Sequence, residues 1–400
     1  MDLVNKIHMS FEKCNSFLMT KSHTLWDVNH FKYLFNSLQY LYFNSLTEVR
    51  SNKVFLPINL GSNSYVTHLV LKMESLRVCI EPDYKREKSL EEFLISNYVF
   101  LYNHLGLIEI KKTKNVSVKG PFDKDKYLNA DQEYFSPLVN MFDKHLELKR
   151  KINSIDCMLL TNSLVSMDYV KGFSDADCVV ILNESAYDNV KSIKLTRKYI
   201  TELSKCLYLF DPLQHHGFFI VNRIQMSYYS EAMYPLLLFE NALNFGIGDI
   251  GLEFKCIDDD FEKDMALYNS LNSLFRYANI SNDKYRNMFL LKRYISTLTL
   301  LPVLYAQRIG DYIGKKDAFD LISELFGRDE ELFNQASHIR KTFPYKRKIN
   351  SFPQFLHPSL INQLHGNLFK SDLWFDMDEF KLSTITFLDN FVDNYVHQRL

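Results

Sequence analysis

The chain has 400 residues, of which 46% are hydrophobic and 14% aromatic, and its formal net charge at pH 7 is −1. This length and composition provide enough apolar material for the cores of two or three domains. The charge excludes a protein whose whole surface is basic and attracts nucleic acid non-specifically. A nucleic-acid partner bound through a local basic patch stays open, but the net charge does not favour it.

Cysteine usage and the lack of long apolar stretches predict a soluble, cytoplasmic protein. The six cysteines are far apart and show no spacing typical of a metal site, so we expect reduced thiols in a reducing compartment. The first residues lack the layout of a signal peptide. The longest apolar stretch, near residues 294–306, contains Pro302 and is too short to cross a bilayer. We therefore expect no membrane association.

The pattern of residues 1–135 predicts an N-terminal α+β region of unknown role. Apolar residues recur first at helical spacing and then alternate as strands do. The predicted elements are helices to about residue 50, strands over 51–74, a helix over 89–104, a hairpin over 105–119 and a polar linker over 120–133.

Two short apolar runs and the turns beside them carry the most informative pattern in the chain. After a predicted helix over 134–152, residues 158–160 form an apolar run that enters a polar turn at Thr161-Asn162-Ser163. The second run, Cys178–Leu182, is mostly β-branched and follows Gly172-Phe-Ser174-Asp175-Ala-Asp177. Each run predicts a β-strand.

Asp175 and Asp177 occupy alternate positions ahead of the second run, so their side chains are expected on one face of the strand. The run itself is apolar on both faces, as in a central strand that is buried on both sides. Two carboxylates at the end of a buried strand are costly unless a positive charge lies between them. A hard divalent cation, which prefers oxygen ligands, is the natural candidate.

Downstream of the second run, the pattern predicts a helix over 185–205 and a β-hairpin over 206–221. Asp211 is the only acidic residue in the two hairpin strands, and the turn between them contains His215 and His216. Paired imidazoles at a turn can bind metal, move a proton or contact phosphate. The plainer alternative is that one is exposed and the other bonds the backbone.

Residues 262–400 are predicted to be mostly helical. A long apolar helix is expected over 285–310, with Gly310 as its stop, and an amphipathic helix over 376–400 closes the chain. Residues 338–348 are basic with interleaved aromatic side chains and could contact nucleic acid, although a solvated loop is the more ordinary interpretation.

The central stretch resembles the polymerase-β-like nucleotidyltransferase superfamily, and in particular its minimal and aminoglycoside-type members. Their signature is a Gly-Ser turn followed by Asp-x-Asp on a strand. Here Gly172-Phe-Ser174-Asp175-Ala-Asp177 and the apolar run after it match the second half of that signature. The first half departs, because Asn162 stands where the family has the glycine that lets backbone amides approach phosphates.

The resemblance implies an α/β (α+β) fold with a mixed-sheet nucleotidyltransferase domain over 136–261 and a helical bundle over 262–400. It implies that a nucleoside monophosphate moves from an NTP to an unknown acceptor (a small molecule, a protein or RNA) by two-metal catalysis with Mg²⁺ or Mn²⁺. The alternative is a non-catalytic nucleotide-binding or interaction module with a degenerate site. The asparagine at the glycine position and the uncertain third carboxylate favour that alternative.

The resemblance also implies roles for individual residues. Asp175 and Asp177 would hold the metal, and the third ligand would be Asp211 or, failing that, His216. Further residues are implied in nucleotide binding because they lie at the two turns or in the helical region: Asn162, Ser163, Lys171, Gly172, Ser174, Lys315 and Lys316.

Overall fold

The computed structural model describes residues 39, 47–49, 53–55, 90–105, 113–326 (except 215, 233, 247, 258 and 259), 330–344 and 370–397. The fold is mixed α/β with a helical C-terminal region. The helices predicted to about residue 50 and the strands predicted over 51–74 lie almost wholly outside the described residues. From that part of the chain the structure describes two short antiparallel strands, β1 (Thr47–Val49) and β2 (Lys53–Phe55).

A seven-stranded mixed sheet has the spatial order β6-β5-β4-β8-β3-β9-β7. Its strands are β3 (Thr113–Pro121), β4 (Ile155–Leu160), β5 (Cys178–Leu182), β6 (Phe219–Asn222), β7 (Tyr229–Ser230), β8 (Leu243–Asn244) and β9 (Ile250–Ile257). β4 is antiparallel to β5 and β8, and β3 is antiparallel to β9. β5 is parallel to β6, β3 to β8 and β7 to β9. The two apolar runs of the central stretch are therefore neighbouring strands.

The described helices are α1 (Leu90–Leu105), α2 (Lys124–Lys149), α3 (Ser163–Ser166), α4 (Val190–Phe210), α5 (Arg223–Met226), α6 (Leu236–Glu240), α7 (Asp260–Ala278), α8 (Met288–Ile309), α9 (Lys315–Phe326), α10 (Glu330–Lys341) and α11 (Met377–His397). Two 3₁₀ turns, Glu184–Tyr187 and Asn282–Arg286, precede α4 and α8.

Strand β5 is buried along its whole length, which confirms the prediction of a central strand. Val180 and Leu182 belong to a core that α1, α2 and α4 share with one face of the sheet. Val179 and Ile181 belong to a second core, which contains Phe239 of α6. A strand whose alternate residues serve two cores must be apolar on both faces, as this one is.

The C-terminal helices form a third core around α8, which packs against α7, α9 and α10. The helices predicted over 285–310 and 376–400 are confirmed as α8 and α11. Gly310 ends α8 in the left-handed conformation, with a φ of 97°. Phe173 and Leu213, which precede strands β5 and β6, are buried in this same core. The helical region is thereby packed against the loops at one end of the sheet.

The β-hairpin predicted over 206–221 is wrong. Its first half is the last turn of α4, with Asp211 as the C-terminal cap, and its second half is β6, which is parallel to β5. Leu203, Leu207 and Phe210 are fully buried at helical spacing, so packing on the sheet extends the helix through the apolar run.

The linker predicted over 120–133 is also wrong. Strand β3 continues to Pro121, and Asp123 caps α2 by accepting hydrogen bonds from the backbone N–H groups of Asp125 and Lys126. The alternating charges are thus the first turn of a helix, where capping aspartates are favoured. The domain boundary expected after residue 135 falls inside α2, and β3 lies within the same sheet as β5.

Candidate functional site

The segment that carries Asp175 and Asp177 is held by hydrogen bonds at the start of β5. The Thr161 backbone N–H donates to the Asp177 carbonyl over 2.9 Å, which extends the β4–β5 pairing past the strand ends. The Ala176 N–H donates to Gln214 Oε1 over 3.2 Å, and Gln214 Nε2 donates to the Ala176 carbonyl over 3.1 Å. Because both residues are fully buried, this amide pair fixes the peptide between the two aspartates.

Gly172 and Ser174 shape the turn that precedes the aspartates. Gly172 has a φ of 82°, a conformation that favours glycine. The Val170 N–H donates to Ser174 Oγ and the Ser174 N–H donates to the Val170 carbonyl, each over 2.8 Å. Phe173 anchors the turn in the helical core. The observed contacts of the Ser174 hydroxyl therefore close the turn.

A buried lysine joins two of the carboxylates. Lys292 Nζ donates to Asp175 Oδ1 over 2.6 Å and also to Asp211 Oδ2. The Lys292 side chain is 1% exposed and the Asp211 side chain 5%. Asp211 also accepts a hydrogen bond of 2.9 Å from the Leu213 N–H through Oδ1. The cap of α4 thereby faces the segment in front of β5.

The pKa values of Asp211 and Lys292 are both shifted from their ordinary values. Burial raises the pKa of Asp211 above its ordinary value, although the Lys292 charge opposes the shift and Asp175 adds to it. Burial on its own would lower the pKa of Lys292, but the two carboxylates outweigh it and raise that pKa. The ammonium therefore keeps its proton in the interior, where a lone lysine would tend to lose it.

Sequence reasoning missed Lys292, although a signal for it exists. The lysine falls in the buried stripe of α8, four residues after the buried Met288 and three before the buried Ile295. A lysine on the apolar side of a helix is rarely buried unless it is paired. Its position thus predicts an acidic partner, but the partners come from loops far earlier in the chain.

His216 lies between the two aspartates of the Asp-x-Asp segment. Its Nε2 is 2.9 Å from Asp177 Oδ1 and 3.8 Å from Asp175 Oδ2, and its Nδ1 is 2.9 Å from the Gly217 carbonyl. Burial lowers the pKa of the imidazole, but the hydrogen bond to Asp177 and the two carboxylate charges outweigh it and raise that pKa to about 9. His216 is therefore a cation at neutral pH. His215 lies outside the described residues.

Asn162 reaches the same cluster from the end of β4. Its Nδ2 donates to Asp177 Oδ2 over 2.8 Å. Its backbone has a φ of 62° and a ψ of −144°, a combination that residues other than glycine rarely adopt. The backbone at Asn162 thus has a conformation that favours glycine. Ser163 follows as the first residue of the short helix α3.

The other predicted lysines divide between two places. Lys171 Nζ pairs with Asp131 of α2 over 2.8 Å and lies 5.5 Å from the centre of the Tyr134 ring, so it braces the turn against α2. Lys315 is the first residue of α9, and the negative charges of Asp175 and Asp177 are close enough to act on the pKa of its ammonium. The side chain of Lys316, in the same helix, is outside the described atoms.

Arg340 of α10 is a second basic residue, near Lys315. Its guanidinium lies 5.2 Å from the centre of the Phe173 ring, and its buried Nε has no hydrogen-bond partner among the residues that the structure describes. Crowding by neighbouring groups and the nearby Arg340 charge lower the pKa of Lys315 and the two aspartates oppose the shift, although the residue as a whole is exposed. Lys315 and Arg340 thus bring two positive charges close together, an arrangement that suits a bound anion.

The donor set suits a hard divalent cation, because Asp175 and Asp177 offer carboxylate oxygens that converge on the position of one His216 nitrogen. Within the part of the chain that the structure describes, no group of three or more His, Cys, Asp or Glu side chains has the arrangement of a metal site. The nitrogens of Lys292 and His216 stand between the carboxylates.

Comparisons of the chain with protein-family models, curated proteins and solved structures found no match. A search of the described helices for a segment long and apolar enough to cross a membrane found none.

Proposed function

We propose that the protein is a metal-dependent nucleotidyltransferase that moves a nucleoside monophosphate from an NTP to an acceptor hydroxyl. The observation that supports this most is the convergence of Asp175, Asp177 and Asp211 from two separate segments into one cluster. Gathering carboxylates is costly, so it indicates a site whose task requires concentrated negative charge.

In this proposal Asp175 and Asp177 hold Mg²⁺, which when bound neutralises phosphate charge and makes the acceptor hydroxyl more acidic. The acceptor oxygen attacks the α-phosphorus, the bond from that phosphorus to the oxygen bridging the β-phosphate breaks, and pyrophosphate leaves. The hydroxyl proton passes to a carboxylate of the cluster.

Lys315 and Arg340 bind the phosphates that leave as pyrophosphate. Their positive charges are near each other and on the C-terminal helices, across from the loops that carry the aspartates. A triphosphate between them would relieve their mutual repulsion and gain charge-assisted hydrogen bonds, including one from the unpartnered Arg340 Nε. The acceptor is a small molecule, a protein side chain or an RNA end.

Calorimetry with Mg²⁺ and a non-hydrolysable NTP tests the proposal. We expect Mg²⁺-dependent binding to the wild-type chain and no measurable binding to the Asp175→Asn/Asp177→Asn double variant, because amides keep the shape of the site and remove its charge. Asp188→Asn is the matched control, since Asp188 is exposed beyond β5. Undiminished binding by a folded double variant would rule out this metal site.

A second candidate function is a nucleotide-binding or interaction module without catalysis. Asn162 favours it, because its side chain lies against Asp177 where the family signature has a glycine. Transfer assays with each of the four NTPs, labelled at the α-phosphate, against RNA, protein and small-molecule acceptors separate the two candidates. Nucleotide binding without transfer to any acceptor would favour the module.

A further inference from the structure

Two nitrogen-bearing side chains of the protein fill the two spaces between the carboxylates. Lys292 Nζ lies between Asp175 and Asp211, and His216 Nε2 lies between Asp175 and Asp177. In two-metal catalysis, two divalent cations share a set of carboxylates in a comparable way. Here side chains stand in both positions, and the two side chains differ in how firmly they are held.

Lys292 is fixed. Its side chain is 1% exposed and extends from the buried stripe of α8, and its Nζ lies 5.8 Å from the centre of the Phe173 ring. Phe173 is itself packed in the helical core. Moving the ammonium away would leave the buried Asp211 carboxylate without its cation, which is the most costly way to break a buried ion pair.

His216 can be displaced. Its side chain is 19% exposed, and it lies in a loop between α4 and β6, outside any helix or strand. Its Nδ1 contacts the carbonyl of the adjacent Gly217, and its ring lies 4.9 Å from the ring of Phe219, so these two contacts are made within the same short segment. The oxygens it would uncover, on Asp175 and Asp177, are those that suit a divalent cation.

We propose that Lys292 is a built-in cation that takes the place of one of the two metal ions, so that the site binds a single divalent cation between Asp175 and Asp177. This inference rests on the proposed nucleotidyltransferase function. An ammonium is a compact point charge with three N–H donors, so it can neutralise and bridge two carboxylates as a metal does. The residue then assists catalysis by keeping Asp211 and Asp175 together.

Counting Mn²⁺ ions bound by the full-length chain tests the inference without any nucleotide. Mn²⁺ is detected by electron paramagnetic resonance, and bound ions are counted at saturation. We expect one Mn²⁺ per wild-type chain and two per Lys292→Met chain, because methionine fills the space and frees Asp211 for a second ion. In the charge-balanced double variant Asp211→Asn/Lys292→Met, the count should return to one.

Arg293→Met is the matched control, because it removes a positive charge from the adjacent, exposed position of the same helix. It should leave the count at one. A wild-type chain that binds two Mn²⁺ ions or none, or a folded Lys292→Met chain that still binds one, would overturn the inference. The wild-type count decides even if Lys292→Met does not fold.

The outcomes separate this inference from the proposed function. A wild-type chain that binds one Mn²⁺ but neither binds nor transfers a nucleotide would refute the proposed function and support the built-in cation. A chain that transfers nucleotides while binding two Mn²⁺ ions would support the function and refute the built-in cation.

Discussion

Asn162 combines a strained backbone with a useful side-chain contact. Its φ of 62° and ψ of −144° lie away from the left-handed helical region that asparagine tolerates. A residue held in such a sparsely populated region stores roughly 1–3 kcal/mol. The hydrogen bond from its Nδ2 to Asp177 returns about 0.5–1.5 kcal/mol at most, and less because it is exposed to water.

Two substitutions separate these effects. Asn162→Gly loses the hydrogen bond and relieves the strain, whereas Asn162→Ala loses the same hydrogen bond and keeps the strain. We therefore expect the glycine variant to be more stable than the alanine variant by about 1–2 kcal/mol. Urea-induced unfolding of both variants measures the difference. Equal free energies of unfolding would show that the turn adapts to a side chain without strain.

Single residues differ in how well their neighbours can be found from sequence. The i, i+2 spacing of Asp175 and Asp177 needs only the period of an extended chain, so their relation is visible without any structure. Lys292 contacts Asp175 and Asp211, which precede it by 117 and 81 positions and lie in two separate segments. Nothing local distinguishes it from the neighbouring Arg293, except that the stripe of buried residues includes one and leaves out the other.

Among the helices and strands, those formed by short apolar runs are the least predictable from sequence. Residues 206–210 are apolar apart from one cysteine and end before Pro212, which is consistent with a buried strand or with the last turn of a buried helix. The packing of α4 on the sheet decides in favour of the helix. Long elements such as α8 and α11 were predictable, because several turns of periodic apolar residues leave one interpretation.

The end of α8 depends on a glycine in the left-handed conformation. Gly310 has a φ of 97°, and its N–H and that of Asp311 donate to carbonyls of the last helical turn. Gly310→Ala should lower the free energy of unfolding by about 1–2 kcal/mol, because a Cβ is strained at this φ although it would meet no neighbouring atom. Thermal or urea unfolding measures the loss.

Gly314 provides the control for that substitution. It lies just before α9, its φ is outside the left-handed range, and an added Cβ would meet Asp317 Oδ2 at an ordinary 3.6 Å. Gly314→Ala should therefore change stability by no more than about 0.5 kcal/mol. Equal losses in the two variants would mean that the conformation of Gly310 is not what matters.

The stability of the whole molecule should fall in mild acid because of one buried histidine. His145 of α2 is fully buried, its Nδ1 contacts the Tyr199 hydroxyl, and its Nε2 is buried without a partner. Burial, and to a smaller extent the charge of Lys149, lower the pKa of His145 from 6.5 to about 4. Between these two pH values the unfolded chain therefore binds a proton at His145 that the folded chain does not bind.

Acid should therefore lower the free energy of unfolding through His145. The contribution of neutral His145 is complete above pH 6.5 and is lost as the pH falls towards 4, by up to about 3 kcal/mol. His145→Gln removes the titration and leaves an amide to face Tyr199. Urea unfolding at pH 7 and at pH 4.5 should show a smaller acid loss in the variant than in the wild type. Parallel losses would assign the acid sensitivity to other groups.

The arrangement of the whole sheet lay beyond sequence reasoning. The mixed α/β class and the helical C-terminal region follow from the alternation of period-two and period-3.6 segments. The position of β3, between β8 and β9, depends on pairing between segments far apart in the chain, and no local pattern specifies it. The domain boundary that was expected after residue 135 consequently falls inside α2.

The place of β3 in the sheet also orders events during synthesis. Thr113 pairs with Lys255, so the nascent chain must carry the apolar Val116 and Val118 unpaired until the ribosome has released β9. Lys292 emerges later still, and until then Asp175 and Asp211 have no ammonium between them. The acidic cluster in front of β5 is thus completed only after the strands of the sheet have been synthesised. A chain released before α8 would present these carboxylates, without their lysine, to the cell's chaperones and proteases.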